Sequence, residues 1–344
     1  MLALMMAMRA MMAISIYFAT HHRHHATTNI RYNKTVSKTD PGAYRTVGEA
    51  LAVVPINQAQ MFYVHISAGV YVERVLILEN LTNMVLIVDG ADVTKVTMNR
   101  HAPEFPTFQS GTLSDLPVLV SLQNLSLFEI LSGQDLRPLL LSFRPKYVHL
   151  QMHYKCTFLG FQDTLYAKAG KHLFRKCDIY GTIAVIFGEA IAVFQTCNIF
   201  ARASNVIYFI VQGRRNLSPS AFVFQNSSFT VAPGIEPHIS EYVAYLGRPW
   251  FAYSTVVVME RFLDSFISPP GWEIWPGKPT DKLTYVEYKN RGPRADTSHR
   301  LNWTGYRALE DATAMKQFTV QEILHRESWI RRTGIPYTVG LIYV

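Results

Sequence analysis

The stretch that decides the fold runs from residue 154 to residue 229 and repeats one short pattern. It reads Tyr154-Lys-Cys-Thr-Phe158, then Arg175-Lys-Cys-Asp-Ile179, then Gln195-Thr-Cys-Asn-Ile199, with cysteines 21 and 20 residues apart. A degenerate fourth copy, Gln225-Asn-Ser-Ser-Phe229, carries Ser227 in the place of the cysteine. Polar and apolar residues alternate within each copy, as in a strand with one buried face. A period near 20 residues with short strands indicates a solenoid of stacked rungs.

We therefore predict an all-β fold, a right-handed parallel β-helix in which one chain winds into successive coils. Aromatic and β-branched residues are dense between Phe158 and Phe194, a composition that favours strands. Residues one period apart should lie in register on adjacent rungs, about 4.8 Å apart. Cys156, Cys177 and Cys197 then form an inward-facing ladder that serves packing rather than redox or metal chemistry.

The ends of a solenoid need caps, and two capping boxes predict short helices for this purpose. Thr46-Val-Gly-Glu49 opens a helix that Pro55 stops, and Thr319-Val-Gln-Glu322 opens another near the C-terminus. Residues 36–341 show no linker or long charge run, so we predict that they form one domain.

Composition and charge bound the possible functions. The chain has 344 residues, of which 49% are hydrophobic and three are cysteines, and its net charge is +8. The apolar fraction excludes a mostly disordered chain, and the few cysteines exclude a disulfide-built scaffold. The positive charge favours acidic partners, without choosing between nucleic acid, anionic membranes and acidic polysaccharides.

The N-terminal residues look like a targeting segment. Residues 1–20 are predicted to be a signal peptide, because Arg9 precedes an apolar stretch that is shorter than the roughly 20 residues a membrane span needs. Residues 21–35 begin with four histidines in five positions, and we predict a solvated tail there rather than a metal site. Six N-x-S/T sequons support secretion and glycosylation. They stand at Asn33, Asn80, Asn124, Asn216, Asn226 and Asn302.

Candidate chemistry lies where the repeat is most regular. Asp163, in the stretch Gly-Phe-Gln-Asp-Thr-Leu-Tyr, and Ala184, in Gly-Thr-Ile-Ala-Val-Ile-Phe-Gly, are 21 residues apart and should stack on one face. Arg248 with Trp250, and later Trp272 with Trp275, add an arginine and tryptophans that we expect to be exposed along a groove. This combination suits a carbohydrate, because rings stack on sugars and arginine pairs with uronate carboxylates. Taken singly, an aspartate is more often a surface residue and a tryptophan more often a packing residue.

In collinear order, the motifs of this chain resemble those of plant pectin methylesterases (pectinesterases). The resemblance covers about nine tenths of the chain. The matching stretches are 68–75, 160–166, 177–182, 186–188, 212–214, 245–250, 271–272, 287–303, 318–320, Trp329 and 333–336. It implies a secreted, cell-wall β-helix enzyme that hydrolyses methyl esters of homogalacturonan (pectin) without a metal or cofactor.

The resemblance also implies roles for individual residues. Asp163 matches the general acid/base, Gln162 an oxyanion-stabilising glutamine, and Arg248 the arginine that orients the nucleophile. The matches to substrate-contacting residues are Thr112, Tyr166, Phe187 and Trp250.

Two departures from the family pattern concern the mechanism. The nucleophilic aspartate should stand third after Gly181, and that position is Ala184. Glu189, five residues further on, is not expected to replace it. A second oxyanion glutamine falls at Pro138 or Leu140, depending on gap placement, while Gln134 lies nearby but out of register.

Three hypotheses therefore stay open: a working pectinesterase, an inactive family member that still binds pectin, and the product of a decayed gene or an imperfect gene prediction. Expected partners are pectin and a proteinaceous pectinesterase inhibitor. We expect the protein to be a monomer. We expect neither nucleic-acid binding nor a stable membrane span.

Overall fold

Stacked parallel coils dominate the molecule. The computed structural model describes residues 30–78, 80–98, 112–114, 120–123, 126–129, 141–142, 150–235, 241–325 and 328–342. Within these ranges the chain forms strands β1 to β26 in chain order, arranged in three sheets whose neighbouring strands are all parallel. Each complete coil contributes one strand to each sheet, which confirms the parallel β-helix.

Sheet A is the longest of the three. Its strands, in order, are β1 (Lys34–Val36), β2 (Phe62–Ile66), β5 (Met84–Val88), β8 (Val120–Gln123), β11 (Leu150–Tyr154), β14 (Lys171–Arg175), β17 (Ile191–Gln195), β20 (Ala221–Gln225), β23 (Thr255–Met259), β25 (Thr284–Tyr288) and β26 (Tyr306–Leu309). The sheet begins at Lys34, which pairs with Val64, two residues before the predicted start of the domain.

Sheets B and C complete the coils. Sheet B contains β3 (Gly69–Val72), β6 (Thr94–Met98), β9 (Ser126–Glu129), β12 (Thr157–Leu159), β15 (Asp178–Gly181), β18 (Asn198–Ala201), β21 (Ser228–Val231) and β24 (Phe262–Leu263). Sheet C contains β4 (Val75–Leu76), β7 (Leu113–Ser114), β10 (Leu141–Ser142), β13 (Leu165–Tyr166), β16 (Ile183–Gly188), β19 (Val206–Gln212) and β22 (Val243–Gly247). Residues 1–29, which include the predicted signal peptide and the histidine cluster, lie outside the described residues.

Short helices lie at both ends of the chain: α1 (Val47–Ala52), α2 (Ala312–Met315), a 3-10 turn (Lys316–Phe318), α3 (Val320–Ile323) and α4 (Ser328–Arg331). The Thr46 capping box of α1 is formed as predicted. The Thr319 box is not formed, because the Thr319 hydroxyl donates to the carbonyl oxygen of Lys316 at 2.7 Å instead of capping α3. In the part of the chain that is described, no helix is long and apolar enough to cross a membrane.

The cysteine ladder forms in the interior as predicted. Arg175 pairs with Tyr154 and with Gln195, so the three cysteines occupy equivalent positions on successive rungs. All three are free thiols and are buried. Ser227 continues the column: its hydroxyl accepts from the backbone N–H of Cys197 at 3.0 Å and donates to the carbonyl of Phe194 at 3.0 Å. Small side chains that satisfy their own polar atoms therefore fill this column.

The next residue of the same column breaks that rule. Met259 pairs with Gln225 and Phe262 with Ser228, so Arg261 stands one rung beyond Ser227. It is fully buried, and its three guanidinium nitrogens have no hydrogen-bond partner among the described residues. The centroid of the Phe229 ring lies 3.8 Å from the guanidinium carbon of Arg261. Burial lowers the pKa of Arg261 well below its usual value, which expresses the cost of keeping its charge in the core.

A second ladder attaches the C-terminal segment to sheet A. The Gln195 amide donates to Gln225 at 2.8 Å, and the Gln225 amide donates to the carboxylate of Glu260 at 2.9 Å. The same side chains bind the backbone of the last residues, since Gln195 accepts from the N–H of Thr338 at 2.8 Å and Glu260 accepts from the N–H of Ile342 at 2.9 Å. The ladder thereby accepts hydrogen bonds from backbone N–H groups of the C-terminal segment, which do not pair with a strand.

We predict that Arg261→Met stabilises the protein, because it removes an unpaired buried charge and keeps a long apolar side chain in the same space. The apparent free energy of unfolding in urea should rise by about 2 kcal/mol. Arg307→Met is the matched control, since Arg307 is exposed on β26 and its replacement should change stability by less than about 0.5 kcal/mol. A loss of stability in Arg261→Met would show that the guanidinium contributes more than its burial costs.

Candidate active site

A cleft of about 510 Å³ opens on sheet C, next to the most regular coils. Strands β13, β16 and β19 and the turn after β22 supply most of its walls. The residues that line it are Gln162, Asp163, Tyr166, Lys168, Ile183, Ala184, Phe187, Val211, Arg248, Trp250 and Trp275. Eight of these are residues that the sequence singled out as site or groove positions, so stacking of the coils brings them together.

Asp163 and Ala184 stand on adjacent rungs, as their spacing predicted. Leu165 pairs with Ile186, two residues after each of them, which keeps the offset at 21 residues. The backbone N–H of Asp163 donates to the carbonyl of Ile183 at 2.8 Å. Both residues have a left-handed backbone, with φ of 59° at Asp163 and 52° at Ala184. The chain therefore turns in the same way on both rungs and directs both side chains to the cleft.

A β-bulge contains Ala184. Ile183 pairs with Tyr208, but Ile186 pairs with Ile210, so β16 has one more residue than β19 over this interval. Bulges are common beside active sites, because they redirect a side chain without ending the strand. Asparagine and aspartate tolerate a left-handed conformation better than alanine does. The backbone at this position thus suits a residue type that the chain does not have there.

Arg248 is placed by the glycine before it. A Cβ atom at Gly247 would lie 2.0 Å from the carbonyl oxygen of Ile210, so only glycine permits this close approach of β22 to β19. The next N–H, that of Arg248, donates to the same oxygen at 3.0 Å. The guanidinium carbon then lies 4.0 Å from the ring centroids of both Tyr208 and Trp275. The two rings hold the guanidinium between them at the edge of the cleft.

The guanidinium of Arg248 has no hydrogen-bond or ion-pair partner among the residues that are described. Its Nε is buried and makes no hydrogen bond, and no ion pair to Arg248 is formed in the described ranges. The neighbouring carboxylate of Glu273 accepts a hydrogen bond from the Tyr208 hydroxyl instead. Burial and this carboxylate raise the pKa of Tyr208 to about 12, so the phenol stays neutral and remains a hydrogen-bond donor at neutral pH.

Aromatic rings form one side of the cleft. Tyr166 and Phe187 stack with 4.5 Å between ring centroids and 2° between their planes, one from each of two adjacent coils. The Trp250 ring lies beside them, 6.2 Å from the Phe187 ring between centroids, and the backbone N–H of Trp250 donates to the carbonyl of Gln212 at 3.1 Å. Burial raises the pKa of Tyr166, with a smaller contribution from the charge of Glu189. These rings offer a flat apolar surface of the kind on which sugar faces stack.

Some residues that the sequence nominated lie elsewhere. Thr112 is buried and does not line the cleft, and its backbone oxygen accepts from the N–H of Val75 at 2.8 Å. The expectation that Trp272 is exposed is wrong: it lies in the core and donates to Glu287 at 3.3 Å. Glu189 accepts from Arg215 at 3.0 Å and is not part of the cleft wall.

Other nominations lie outside the described residues, namely Gln134, Pro138 and Leu140. The sequence missed Lys168 and Tyr208. Tyr208 was missed because the turn between β18 and β19 is longer than the turn between β15 and β16, so counting residues at a constant period does not reach it. Lys168 follows Tyr166 by two residues, and this proximity was the one signal that could have identified it.

Fold and cleft together define the class: a parallel β-helix protein with a polar, aromatic-lined cleft on one sheet. The pectinesterase family model matches residues 33–327. The chain belongs to the pectinesterase family.

Known relatives and structures agree with this assignment. The chain is 33% identical over 330 residues to pectinesterase 2 of Citrus sinensis, covering 91% of this chain and 62% of that protein. It is 34% identical over 317 residues to a probable pectinesterase/pectinesterase inhibitor of Arabidopsis thaliana, covering 90% of this chain and 59% of that protein. The chain thus spans about three fifths of the length of these curated relatives.

Among solved structures, the pectin methylesterase from carrot superposes with a TM-score of 0.86 at 30% identity, over 92% of this chain and 100% of that chain. The pectin methylesterase of Aspergillus niger shares the fold, with a TM-score of 0.75 at 24% identity over 90% of this chain and 98% of that chain.

The backbone at Ala184 yields a stability prediction. Ala184→Gly should raise the apparent free energy of unfolding by about 1 kcal/mol, because glycine adopts a left-handed backbone without the Cβ penalty. The control is Ala192→Gly, at a buried strand position on β17, which should destabilise the protein. Urea titrations of both variants measure the difference. Equal destabilisation by the two glycines would contradict a left-handed Ala184.

Proposed function

We propose that the protein acts on methyl-esterified homogalacturonan, the pectin of the plant cell wall, with impaired ester hydrolysis. The observation that carries the proposal is the pairing of Asp163 with Ala184 on adjacent rungs, in a cleft that retains Gln162, Arg248 and Trp250. Family membership supports pectin as the substrate class, since the named relatives are pectinesterases. Secretion to the cell wall and binding of a proteinaceous inhibitor are part of the same proposal.

Impairment follows from the chemistry of position 184. A methyl side chain cannot attack a carbonyl, so the chain has no group there to form a covalent acyl-enzyme. Asp163 can still act as a general base that takes a proton from water, while the Gln162 amide donates to the oxygen that becomes negative. Loss of a central catalytic member typically leaves a remnant of roughly 10³-fold over the uncatalysed reaction.

A second candidate function is binding of pectin without turnover. The stacked rings of Tyr166 and Phe187, with Trp250 beside them, favour it, because this surface does not depend on Ala184. Stacking on sugar rings requires no catalytic group, only the flat apolar faces that these side chains present.

Hydrolysis is tested by methanol release from highly esterified pectin. The unmodified protein should be at least about 10³-fold slower than a pectinesterase with both aspartates, and Ala184→Asp should raise its rate, because it restores a nucleophile. Ala184→Asn is the control, since it has the same shape and the same tolerance of a left-handed backbone but no nucleophilic carboxylate. Near-normal turnover by the unmodified protein would overturn the proposed impairment.

Binding is tested by titrating oligogalacturonate against tryptophan fluorescence. We expect a saturable change whose affinity Trp250→Ala weakens by about tenfold, since loss of one stacking ring removes roughly 0.5–1.5 kcal/mol beyond its apolar contact. Tyr32→Ala is the control, because Tyr32 is an exposed aromatic that stacks on His65 of sheet A. Equal effects of the two substitutions would count against binding in the cleft.

A further inference from the structure

The charged residues that line the cleft do not balance. Of the residues that line it, Lys168 and Arg248 are cationic and Asp163 is anionic. The Arg248 guanidinium has neither an ion pair nor a hydrogen bond to any described residue, although its Nε is buried. A buried donor without an acceptor costs free energy, and a ligand that supplies the acceptor recovers it.

The position of Arg248 restricts which ligand group fits. Tyr208 and Trp275 hold the guanidinium between their rings at 4.0 Å each, so its faces are covered and its N–H edge is the part left to bind a ligand. Arginine edges bind planar, charged acceptors in a bidentate manner, and carboxylates match this geometry. Glu273, the nearby carboxylate, is engaged by the Tyr208 hydroxyl.

The space for such a group lies beside Ala184. Tyr208, against which Arg248 packs, pairs with Ile183, the residue before Ala184 in the bulge. Ala184 lies on the cleft wall and belongs to the same cluster as Tyr208, Phe187 and Val211. Its methyl group is the smallest side chain in that cluster, so a ligand carboxylate can approach where a larger residue would exclude it.

We propose that Arg248 and the space beside Ala184 form a binding site for a free carboxylate. The inference rests on the proposed function in naming its source, the C6 carboxylate of a de-esterified galacturonate residue, so that this cleft prefers the acid form of the polymer to its methyl ester. A methyl ester is neutral and offers the guanidinium a weaker acceptor than a carboxylate does. A small free carboxylate such as acetate has the same chemistry and is the other possible source.

Trigalacturonate and its fully methyl-esterified form are titrated against the full chain by calorimetry, with and without acetate. We expect the acid to bind at least tenfold more tightly than the ester, and acetate to compete with it. Ala184→Asp places a carboxylate within the protein beside Arg248 and should abolish both the preference and the competition by acetate. Ala203→Asp is the control for net charge, since Ala203 is exposed on a turn away from the cleft wall, and it should retain both.

The outcomes separate this inference from the proposed function. Binding of the ester as tightly as the acid overturns the carboxylate site and leaves action on pectin standing. Binding of acetate but of neither oligosaccharide supports the carboxylate site and overturns the proposed function. Binding of no ligand at all overturns both. If Ala184→Asp keeps the full preference for the acid, the carboxylate binds elsewhere and the inference is wrong.

Discussion

In-register stacking of parallel coils is the constraint on which the rest of this structure depends. Backbone hydrogen bonds between rungs fix each residue above its counterpart one coil earlier, so interior columns and surface clusters both follow from the register. The column of cysteines and the stack formed by Tyr166 and Phe187 arise in this way. A slip of one residue would exchange the interior and exterior faces, and therefore the apolar interior and the cleft depend on the same pairing.

Some polar side chains in the interior satisfy their hydrogen-bonding groups. Ser227 does so through backbone partners, and the ladder of Gln195, Gln225 and Glu260 does so through amide pairs and the C-terminal segment. Arg261 does not, since no described residue accepts from its guanidinium. The cation–π contact with Phe229 offsets part of the free energy of burying this charge. A desolvated cation–π contact stabilises by roughly 2 kcal/mol, whereas removing an ion from water costs several kcal/mol.

The cleft also contains a side chain that does not match its structural setting. Its backbone keeps a bulge and a left-handed residue at position 184, and its arginine keeps a rigid aromatic setting, yet the side chain at 184 is a methyl group. The backbone conformation and the side chain therefore disagree at position 184. Under the proposed function, a cleft that has this shape and this arginine but a methyl group at position 184 favours recognition of an anionic ligand over covalent catalysis.

The sequence by itself determined the coil period, the cysteine column, the stacking of Asp163 with Ala184 and the capping box at Thr46. These depend on contacts that repeat at constant spacing or lie within a few residues, which periodicity and local motifs report directly. Only the tertiary structure decided that Trp272 is buried and Trp275 lines the cleft, that Thr112 lies apart from it, and that Tyr208 faces Arg248. Those outcomes depend on a bulge and on turns of unequal length between coils, which change the register locally and leave no periodic trace in the sequence.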